Sequence, residues 1–246
     1  MIILRRRDAR SAIEDRMLTS DLFAQGFAVA DIRLTDEQCD HLAAAIPSLS
    51  ASHGVVRGLI QHPAVVQLLL HKQFGGYLWS VVGRDLVAVK ATLFDKMVAL
   101  NWRAQWHQDR VIAIRERMQI SGYGSWSMKA GVQHAEPPAA VLQQMLAVRI
   151  YLDHSDTENG PLRVIPGSHV FGKLSDEDLQ NRVADSRSIE VHVAKGGLLL
   201  MHPLLIHSTS ESHTTEHRRV LHVELAPAEA ISPLQWHTML HLQRAA

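Results

Sequence analysis

Short apolar runs, interrupted by turn-forming residues, fill the chain from about residue 86 onward. Val, Leu and Ile are concentrated in these runs, and Gly, Pro, Asn and Asp separate them, which is typical of β-strands. The sequence therefore predicts strands over 86–94, 146–152, 189–193, 198–201 and 220–225. Many short strands with turns between them favour a sandwich or a closed double sheet.

The region before residue 86 has a helical pattern. Thr35 and Gln38 have the spacing of a capping box ahead of an apolar stretch over 39–46. Pro63 stands at the start of a second apolar stretch, where proline favours the first helical turn. The Gly75-Gly76 pair predicts the next break. We therefore expect residues 10–85 to be mostly helical.

Two further helices are predicted among and after the strands. Ser175 and the acidic residues after it predict a short helix or turn, and the stretch 233–244 predicts a helix that covers the sheet. With 246 residues, the chain fits one mainly β domain with flanking helices, an α+β arrangement. We expect a helical flank over 1–85, a β core over 86–226 and a C-terminal covering segment over 227–246.

The overall charge is balanced, with 25 Lys plus Arg and 25 Asp plus Glu residues. No global field therefore favours nucleic acid or an anionic membrane. The chain has no run of 18 apolar residues to predict a membrane span, and its arginine-rich start lacks the apolar stretch of a secretory signal. The single cysteine, Cys39, suits a reducing compartment. We expect a cytoplasmic monomer or small homo-oligomer.

Sixteen histidines make metal ligands easy to find and easy to assign wrongly. Four positions carry His-x-Asp/Glu, and in a strand both side chains of such a pair lie on one face. The pair at His134 is followed directly by two prolines, which argue against a central strand at this position. The pair at His154 opens a polar turn, and the pair at His222 has only terminal-segment histidines after it. His107 and Asp109 are left as the candidate ligands.

A third ligand from a distant strand would complete the set. His207 closes an apolar run that would be buried, whereas His202, His213 and His217 are each more typical of exposed loops. Two imidazoles and one carboxylate on one face of a metal leave positions open, the arrangement of non-heme Fe(II) oxygenases. Arg218 follows eleven residues after His207, where its guanidinium could clamp the far carboxylate of a keto-acid cosubstrate.

Four segments in this order resemble the phytanoyl-CoA dioxygenase family of Fe(II)/2-oxoglutarate oxygenases, and the resemblance covers roughly residues 86–226. They are Trp106-His107-Gln108-Asp109, Glu158-Asn159-Gly160-Pro161-Leu162, Ile165-Pro166-Gly167-Ser168-His169 and His202-Pro203-Leu204-Leu205-Ile206-His207. The resemblance implies a double-stranded β-helix core, a jelly roll of the cupin type, with flanking helices. It implies Fe(II), 2-oxoglutarate and O2 as the cofactor and cosubstrates. The residues it assigns are His107, Asp109 and His207 for iron, and Arg218 with Thr209 for the 2-oxoglutarate carboxylate.

The identity of the cosubstrate arginine is open between two neighbours. Arg219 shares a strand face with Leu221 and other apolar residues, so alternation alone points Arg219 toward a core. The family spacing favours Arg218 instead. Lys90 and Thr92 share one face of the strand that leads to the iron motif, and they are candidates for cosubstrate or substrate contact. A lysine among apolar neighbours is also typical of a strand edge.

Further candidates concern the substrate. Arg149 and Tyr151 interrupt an otherwise apolar strand on one face, and a buried Arg149 would require an anion. That anion is either a substrate carboxylate or phosphate, or a structural Asp or Glu. The stretch 110–140 is long and contains three glycines, which is typical of a lid or binding loop. Its candidates for substrate contact are Tyr123, Trp126, Lys129 and His134, although Trp126 could equally anchor the loop by packing.

The predicted function is hydroxylation of a C–H bond of a small molecule, coupled to decarboxylation of 2-oxoglutarate to succinate and CO2. Because no basic cluster typical of coenzyme A binding stands out, an anionic small metabolite is favoured as substrate. Two other classes stay open. One is a metal-dependent hydrolase or isomerase on a cupin-like barrel, without redox chemistry. The other is a non-catalytic relict of the family.

Overall fold

A computed structural model describes residues 5–6, 12–46, 54–129 and 131–243. Most of the arginine-rich start and the end of the predicted terminal helix, at 244, lie outside these residues. The strands in chain order are β1 (Arg5–Arg6), β2 (Phe27–Arg33), β3 (Val55–Val56), β4 (Val87–Phe94), β5 (Ala104–His107), β6 (Ile112–Ile114), β7 (Gly124–Lys129), β8 (Val132–Glu136), β9 (Leu146–Tyr151), β10 (Leu162–Val164), β11 (Ile189–Val191), β12 (Gly197–Met201), β13 (His207–Thr209), β14 (Val220–Ala226) and β15 (Leu240–His241). The helices are α1 (Ala12–Gln25), α2 (Asp36–Ala45), α3 (Pro63–Leu69), α4 (Lys72–Val82), α5 (Ala139–Leu142) and α6 (Asp176–Asp185).

Two antiparallel sheets pack face to face. The larger has the strand order β1-β2-β12-β9-β14-β4-β15, with β3 also paired to β4, and the smaller has the order β11-β10-β13-β5. A buried cluster between them joins Tyr151, Leu199 and Val220 of the larger sheet to Leu162 and Val164 of the smaller one. This is the architecture of a double-stranded β-helix, so the predicted jelly-roll fold is confirmed.

The outer face of the larger sheet is covered by the N-terminal helices. Strand β14 contributes Leu221, Val223 and Leu225 to this apolar layer, and Leu68 of α3 and Phe74 of α4 pack in the same cluster. The alternation of β14 therefore separates a face that packs on helices from a face that looks between the sheets. No helix in the described residues is long and apolar enough to cross a membrane.

Helix starts follow their sequence signals more closely than breaks do. The Thr35 hydroxyl accepts from the Gln38 N–H, and the Gln38 side chain accepts from the Thr35 N–H, so the predicted capping box is present. The break predicted at Gly75-Gly76 is wrong, because α4 runs through both residues. A Cβ added at Gly75 would collide with the backbone carbonyl of Gln243. The glycine therefore permits a close approach of the C-terminal segment and does not end the helix.

Two stretches differ from the predicted elements. Residues 10–85 contain β2, which pairs with β12 inside the larger sheet. The described part of 233–244 forms turns and β15, and no helix. Its backbone bonds to the neighbouring sheet instead, where Arg115 N–H donates to the Gln235 carbonyl and His237 N–H donates to that of Ala113. The segment still covers the fold, since Trp236 is buried.

The stretch 110–140 contains a third sheet with the order β6-β8-β7, and residues 115–123 connect β6 to β7 outside its strands. The prediction of one long loop over the whole stretch is therefore wrong. The sequence argument against a central strand at His134 is wrong as well, because β8 is the middle strand and ends at Glu136, directly before the prolines. Helix α6 begins after Ser175, whose hydroxyl accepts from the Asp178 N–H.

Candidate metal and cosubstrate site

Three predicted ligands meet between the sheets. His107 at the end of β5 and His207 at the start of β13 are direct cross-strand partners, and their ring centroids lie 4.2 Å apart. Asp109 lies two residues beyond β5. Its Oδ1 is 3.8 Å from His107 Nε2, and its Oδ2 is 3.7 Å from His207 Nε2. One ligand atom from each residue lies within 4.8 Å of the others, a group that can hold one metal ion.

Hydrogen bonds fix the orientation of both imidazoles. His107 Nδ1 donates to the Gln105 carbonyl at 2.6 Å, and His207 Nδ1 donates to the Leu205 carbonyl at 2.9 Å. Each ring therefore turns its Nε2 toward Asp109, and this is the nitrogen that a metal ion would bind. Burial lowers the pKa of His207 to about 4, so this ring is neutral at physiological pH. Burial alone would raise the pKa of Asp109, but His207, His222 and His107 together hold it well below its usual range.

The donor set fits a divalent iron. Asp109 Oδ2 is buried without a hydrogen-bond partner in the described chain. A buried oxygen of this kind has a desolvation cost that a bound cation would offset. Two nitrogens and one carboxylate oxygen on one side are the facial set that leaves other positions open for reactants.

Two further residues of the family-like segments support the ligands. The Gln108 amide donates to the carbonyls of Leu204 and Gly172 and accepts from the Leu174 N–H. It thereby ties the loop carrying Asp109 to the segment before His207. The Ser168 hydroxyl accepts from the backbone N–H of Ile206 at 2.8 Å, directly next to His207. Contacts of this kind set the geometry of metal ligands without touching the metal.

A second histidine lies beside the cluster. His222 Nε2 is 3.8 Å from Asp109 Oδ2 and 3.8 Å from Glu224 Oε1. The His222-x-Glu224 pair is therefore buried next to the metal cluster, although the sequence argument set it aside. Burial lowers the pKa of His222 to about 3.

The structure distinguishes the two candidate arginines. Arg219 makes a two-pronged contact with Asp153, with both N···O distances at 2.8 Å. Arg218 is fully buried, and its Nε donates to the Asn159 carbonyl at 3.2 Å. Neither of its terminal nitrogens has a hydrogen-bond partner among the described residues. Arg218, and not Arg219, is thus the guanidinium available for a ligand.

Asn159 explains the Asn-Gly segment of the sequence resemblance. Its side chain accepts from the Asp156 N–H and donates to the His154 carbonyl. These bonds fix the turn whose carbonyl holds Arg218 Nε. The segment therefore acts by positioning Arg218.

More buried polar groups accompany Arg218. Arg149 and Tyr151 lie on the inner face of β9, and Arg149 Nε and the Tyr151 hydroxyl lack partners in the described chain. Lys96 is also fully buried, and its Nζ donates to the Thr209 hydroxyl at 3.1 Å and to the Ser210 carbonyl. Burial, followed by the charges of Arg218 and Arg149, lowers the pKa of Lys96 to about 7. Burial and Arg149 likewise lower the pKa of Arg218 to about 10.

These four groups and Thr209 form what we call the cationic pocket: Lys96, Arg149, Tyr151, Thr209 and Arg218. No Asp or Glu of the described chain forms an ion pair with its three cations. The structural partner considered for Arg149 is thus not found there. Lys96 was missed by the sequence analysis. Strand alternation could have found it, because it falls on the face of Lys90 and Thr92 two residues beyond β4.

The remaining candidates divide into two groups. Lys90 ion-pairs with Glu224 at 2.7 Å. Together with Thr92, Lys129 and His134 it lines a cavity of about 180 Å³. Tyr123 and Trp126 pack instead on the apolar cluster around Ile112, Ile114 and Ala135. Arg117 lies 5.3 Å over the Trp126 ring, so the structure favours a packing role for this tryptophan.

Comparisons with known proteins agree with this geometry. The profile of the family described as Phytanoyl-CoA dioxygenase (PhyH) matches residues 40–220. Among solved structures, the chain is similar to the non-heme α-ketoglutarate-dependent carbocyclase SnoK from nogalamycin biosynthesis, at 15% identity and a TM-score of 0.68 over 97% of this chain and 99% of that one. No curated protein matches the chain in a sequence comparison.

Two other solved structures are similar at comparable levels. EctD from S. alaskensis with bound Fe has 15% identity and a TM-score of 0.66, over 100% of this chain and 95% of that one. AviO1 from Streptomyces viridochromogenes Tue57 has 18% identity and a TM-score of 0.62, over 89% of this chain and 97% of that one. At such identities the likeness shows the shared fold.

Proposed function

The chain belongs to the phytanoyl-CoA dioxygenase family, and on that premise we propose that it is an Fe(II)- and 2-oxoglutarate-dependent dioxygenase that hydroxylates a C–H bond of a small molecule. The observation that carries the proposal is the pairing of two sites. A His-His-Asp cluster lies beside a buried pocket with three cations and no acidic partner among the described residues. A keto acid with a second carboxylate matches both at once.

The metal side of the proposal rests on the three ligands. His107, Asp109 and His207 would hold the iron through Nε2, one carboxylate oxygen and Nε2. When bound, ferrous iron with 2-oxoglutarate supplies the activation of O2, with 2-oxoglutarate decarboxylated to succinate and CO2. EctD has been crystallised with 2-oxoglutarate and 5-hydroxyectoine, and the epimerase SnoN with Fe³⁺ and α-ketoglutarate. These neighbours support the same cofactor and cosubstrate here.

The cosubstrate side rests on the cationic pocket. Arg218 would grip the distal carboxylate with its two free nitrogens, and Lys96 would add a second charged donor. Arg149 is the cross-strand neighbour of His222, which lies beside Asp109. It also lies close enough to His207 and to Arg218 to lower the pKa of each. Three buried basic side chains without an acidic partner are costly, and a dianion would offset that cost.

The substrate side of the proposal rests on the cavity of about 180 Å³ that Lys90, Thr92, Lys129 and His134 line. Lys90 and Thr92 line its wall, which favours contact with substrate and not with 2-oxoglutarate. Hydroxylation is the reaction we propose, and a hydroxylated compound bound to EctD supports it. A non-redox hydrolase or isomerase would give the cationic pocket no task, and a relict would not need to retain all three ligands.

The test is turnover of 2-oxoglutarate by the purified protein. With Fe(II), 2-oxoglutarate and air, we expect succinate to form even without the substrate, at a slow uncoupled rate. Argon in place of air, or Zn(II) in place of Fe(II), should abolish it. If 2-oxoglutarate binds but is recovered unaltered, and succinate stays at background levels, the result would instead favour a non-catalytic relict of the family. Hydrolysis or isomerisation that proceeds with Zn(II) would favour the non-redox class.

A further inference from the structure

The cavity beside the metal cluster has a divided chemical character. Its apolar lining consists of Ile60, Val89, Ala91, Ala113 and Val132. The exposed side chains at its rim are basic: Arg57, Lys129 and His237. Among the described residues that line the cavity there is no Asp or Glu. A cavity with these two parts matches a ligand with an apolar body and a negatively charged group.

The electrostatic surroundings of His134 agree with a ligand that carries a negative charge. This histidine lies on the cavity wall, at the middle strand of the third sheet. Burial lowers its pKa most, the hydrogen bond to the Val132 carbonyl opposes that shift, and the charges of Lys90, Lys129 and His237 add to the lowering. The field at the cavity is therefore positive. The positive charge of Lys90 is compensated by its ion pair with Glu224, whereas Arg57 and Lys129 have no acidic partner among the residues that line the cavity.

A short path joins the cavity to the metal ligands. Lys90 and Thr92 on β4 are the cross-strand partners of Glu224 and His222 on β14. His222 Nε2 lies 3.8 Å from Asp109 Oδ2. The part of the cavity lined by Lys90 and Thr92 is therefore one strand away from His222 and Glu224, beside the metal cluster.

We propose that this cavity is the substrate pocket, and that its substrate is a small amphipathic carboxylate or comparable oxyanion. The anionic group binds at the rim formed by Arg57, Lys129 and His237, and the apolar body lies against Val89, Ala113 and Val132, pointing toward the metal. The proposal rests on the oxygenase function proposed above. At about 180 Å³, the cavity is smaller than a typical drug-sized site. A whole coenzyme A thioester exceeds it.

Binding of a matched set of probes tests the proposal without requiring turnover. Protein loaded with Fe(II) and 2-oxoglutarate under argon is titrated in a calorimeter with octanoate, octanamide and octylamine, and with the same three head groups on a cyclohexane ring. We expect the carboxylates to bind at least about tenfold more tightly than the amides, and the amines to bind least. The Lys129→Gln variant should weaken carboxylate binding by about two- to five-fold, the range of an exposed ion pair, and leave amide binding unchanged.

Two variants locate the effect. Lys72→Gln removes an exposed lysine at the start of α4, outside the cavity lining, and should change nothing. Ala113→Leu fills the apolar wall and should weaken both carboxylates and amides, with the unfolding temperature reported alongside. Equal binding of the three charge classes, tighter binding of amines, no binding by any probe, or carboxylate binding that Lys129→Gln leaves intact would each overturn the proposal.

The outcome is separable from that of the oxygenase proposal. Selective carboxylate binding without succinate formation would uphold the pocket and reject the reaction. Succinate formation with no charge preference among the probes would uphold the oxygenase reaction and reject the proposed substrate pocket.

Discussion

The two faces of strand β14 are buried equally and have opposite chemistry. On the outer face, Leu221, Val223 and Leu225 are each 0% exposed and pack on helices. On the inner face, His222 is 5% and Glu224 6% exposed. Burial therefore does not distinguish the face of this strand that stabilises the fold from the face that serves function. The two faces differ in their buried polar atoms.

Several buried polar atoms without a hydrogen-bond partner lie on the inner side of β14. His222 Nδ1, Asp109 Oδ2 and both terminal nitrogens of Arg218 are buried without partners in the described chain. The outer face of β14 has no unpaired polar side-chain atoms, since Leu221, Val223 and Leu225 are hydrocarbon. Polar groups left unpaired inside a protein cost free energy. A ligand that pairs with them only in the folded state stabilises that state. The outer face thus holds the fold together, and the inner face gains stability from what it binds.

Removing the free guanidinium should give the largest effect on binding. In Arg218→Met, we expect the affinity for 2-oxoglutarate to fall by about 10²- to 10³-fold, because the ligand carboxylate is left buried without its partner, a loss of about 3–4 kcal/mol. Calorimetric titration of 2-oxoglutarate into the Fe(II)-loaded protein under argon measures this.

Arg219→Met is the matched control, since the neighbouring guanidinium is already paired with Asp153. It should leave the affinity for 2-oxoglutarate within about two-fold and lower only the stability. If Arg219→Met abolishes 2-oxoglutarate binding and Arg218→Met does not, the assignment of the two arginines is reversed.

The outer face should respond in the opposite way. Leu221→Ala removes a fully buried side chain and should lower the free energy of unfolding by about 2–5 kcal/mol. The affinity of the remaining folded protein for 2-oxoglutarate should not change. Urea denaturation of metal-free protein gives the first quantity and calorimetry below the transition gives the second. A large loss of 2-oxoglutarate affinity in Leu221→Ala would mean that the two faces are not independent.

The same contrast explains which features could be predicted from the sequence. The alternation of β14 and the His107-x-Asp109 pair are local patterns. His207 was predicted from the apolar run before it and from the family resemblance, and the structure brings the three residues together. The function of Gly75 was unreadable because it depends on the distant Gln243. The C-terminal stretch was predicted as a helix because its partners, Ala113 and Arg115, are more than a hundred residues away.

Lys96 shows a different limit. Its position follows from alternation along β4, yet a lysine at a strand end is ordinarily solvated. Only the packing shows that it is fully buried and bonded to Thr209. The choice between Arg218 and Arg219 likewise depended on the contact between Arg219 and Asp153. No local sequence pattern indicates that contact.

A positioning residue outside both faces should give a smaller effect. Ser168→Ala removes the acceptor for the Ile206 N–H beside His207. We expect Fe(II) affinity to fall by about tenfold, the lower end of the range for residues that orient metal ligands. Ser175→Ala is the control: it removes the cap of α6 and should cost about 1 kcal/mol of stability without changing Fe(II) affinity. Equal Fe(II) affinities in the two variants would show that Ser168 has only a structural role.

A further effect, about as large as that of Ser168→Ala, should appear as a pH dependence of cosubstrate binding. Burial lowers the pKa of Lys96 to about 7, so this side chain is charged at pH 6 and largely neutral at pH 8 before the ligand arrives. Binding of a dianion favours the charged form, and above pH 7 it must therefore take up a proton. The dissociation constant of 2-oxoglutarate should accordingly rise by about tenfold from pH 6 to pH 8. Lys96→Met should bind more weakly at pH 6 and lose this slope, whereas Lys90→Met, which removes the lysine paired with Glu224, should retain it. A slope that persists in Lys96→Met would mean that another group on the inner face takes up the proton.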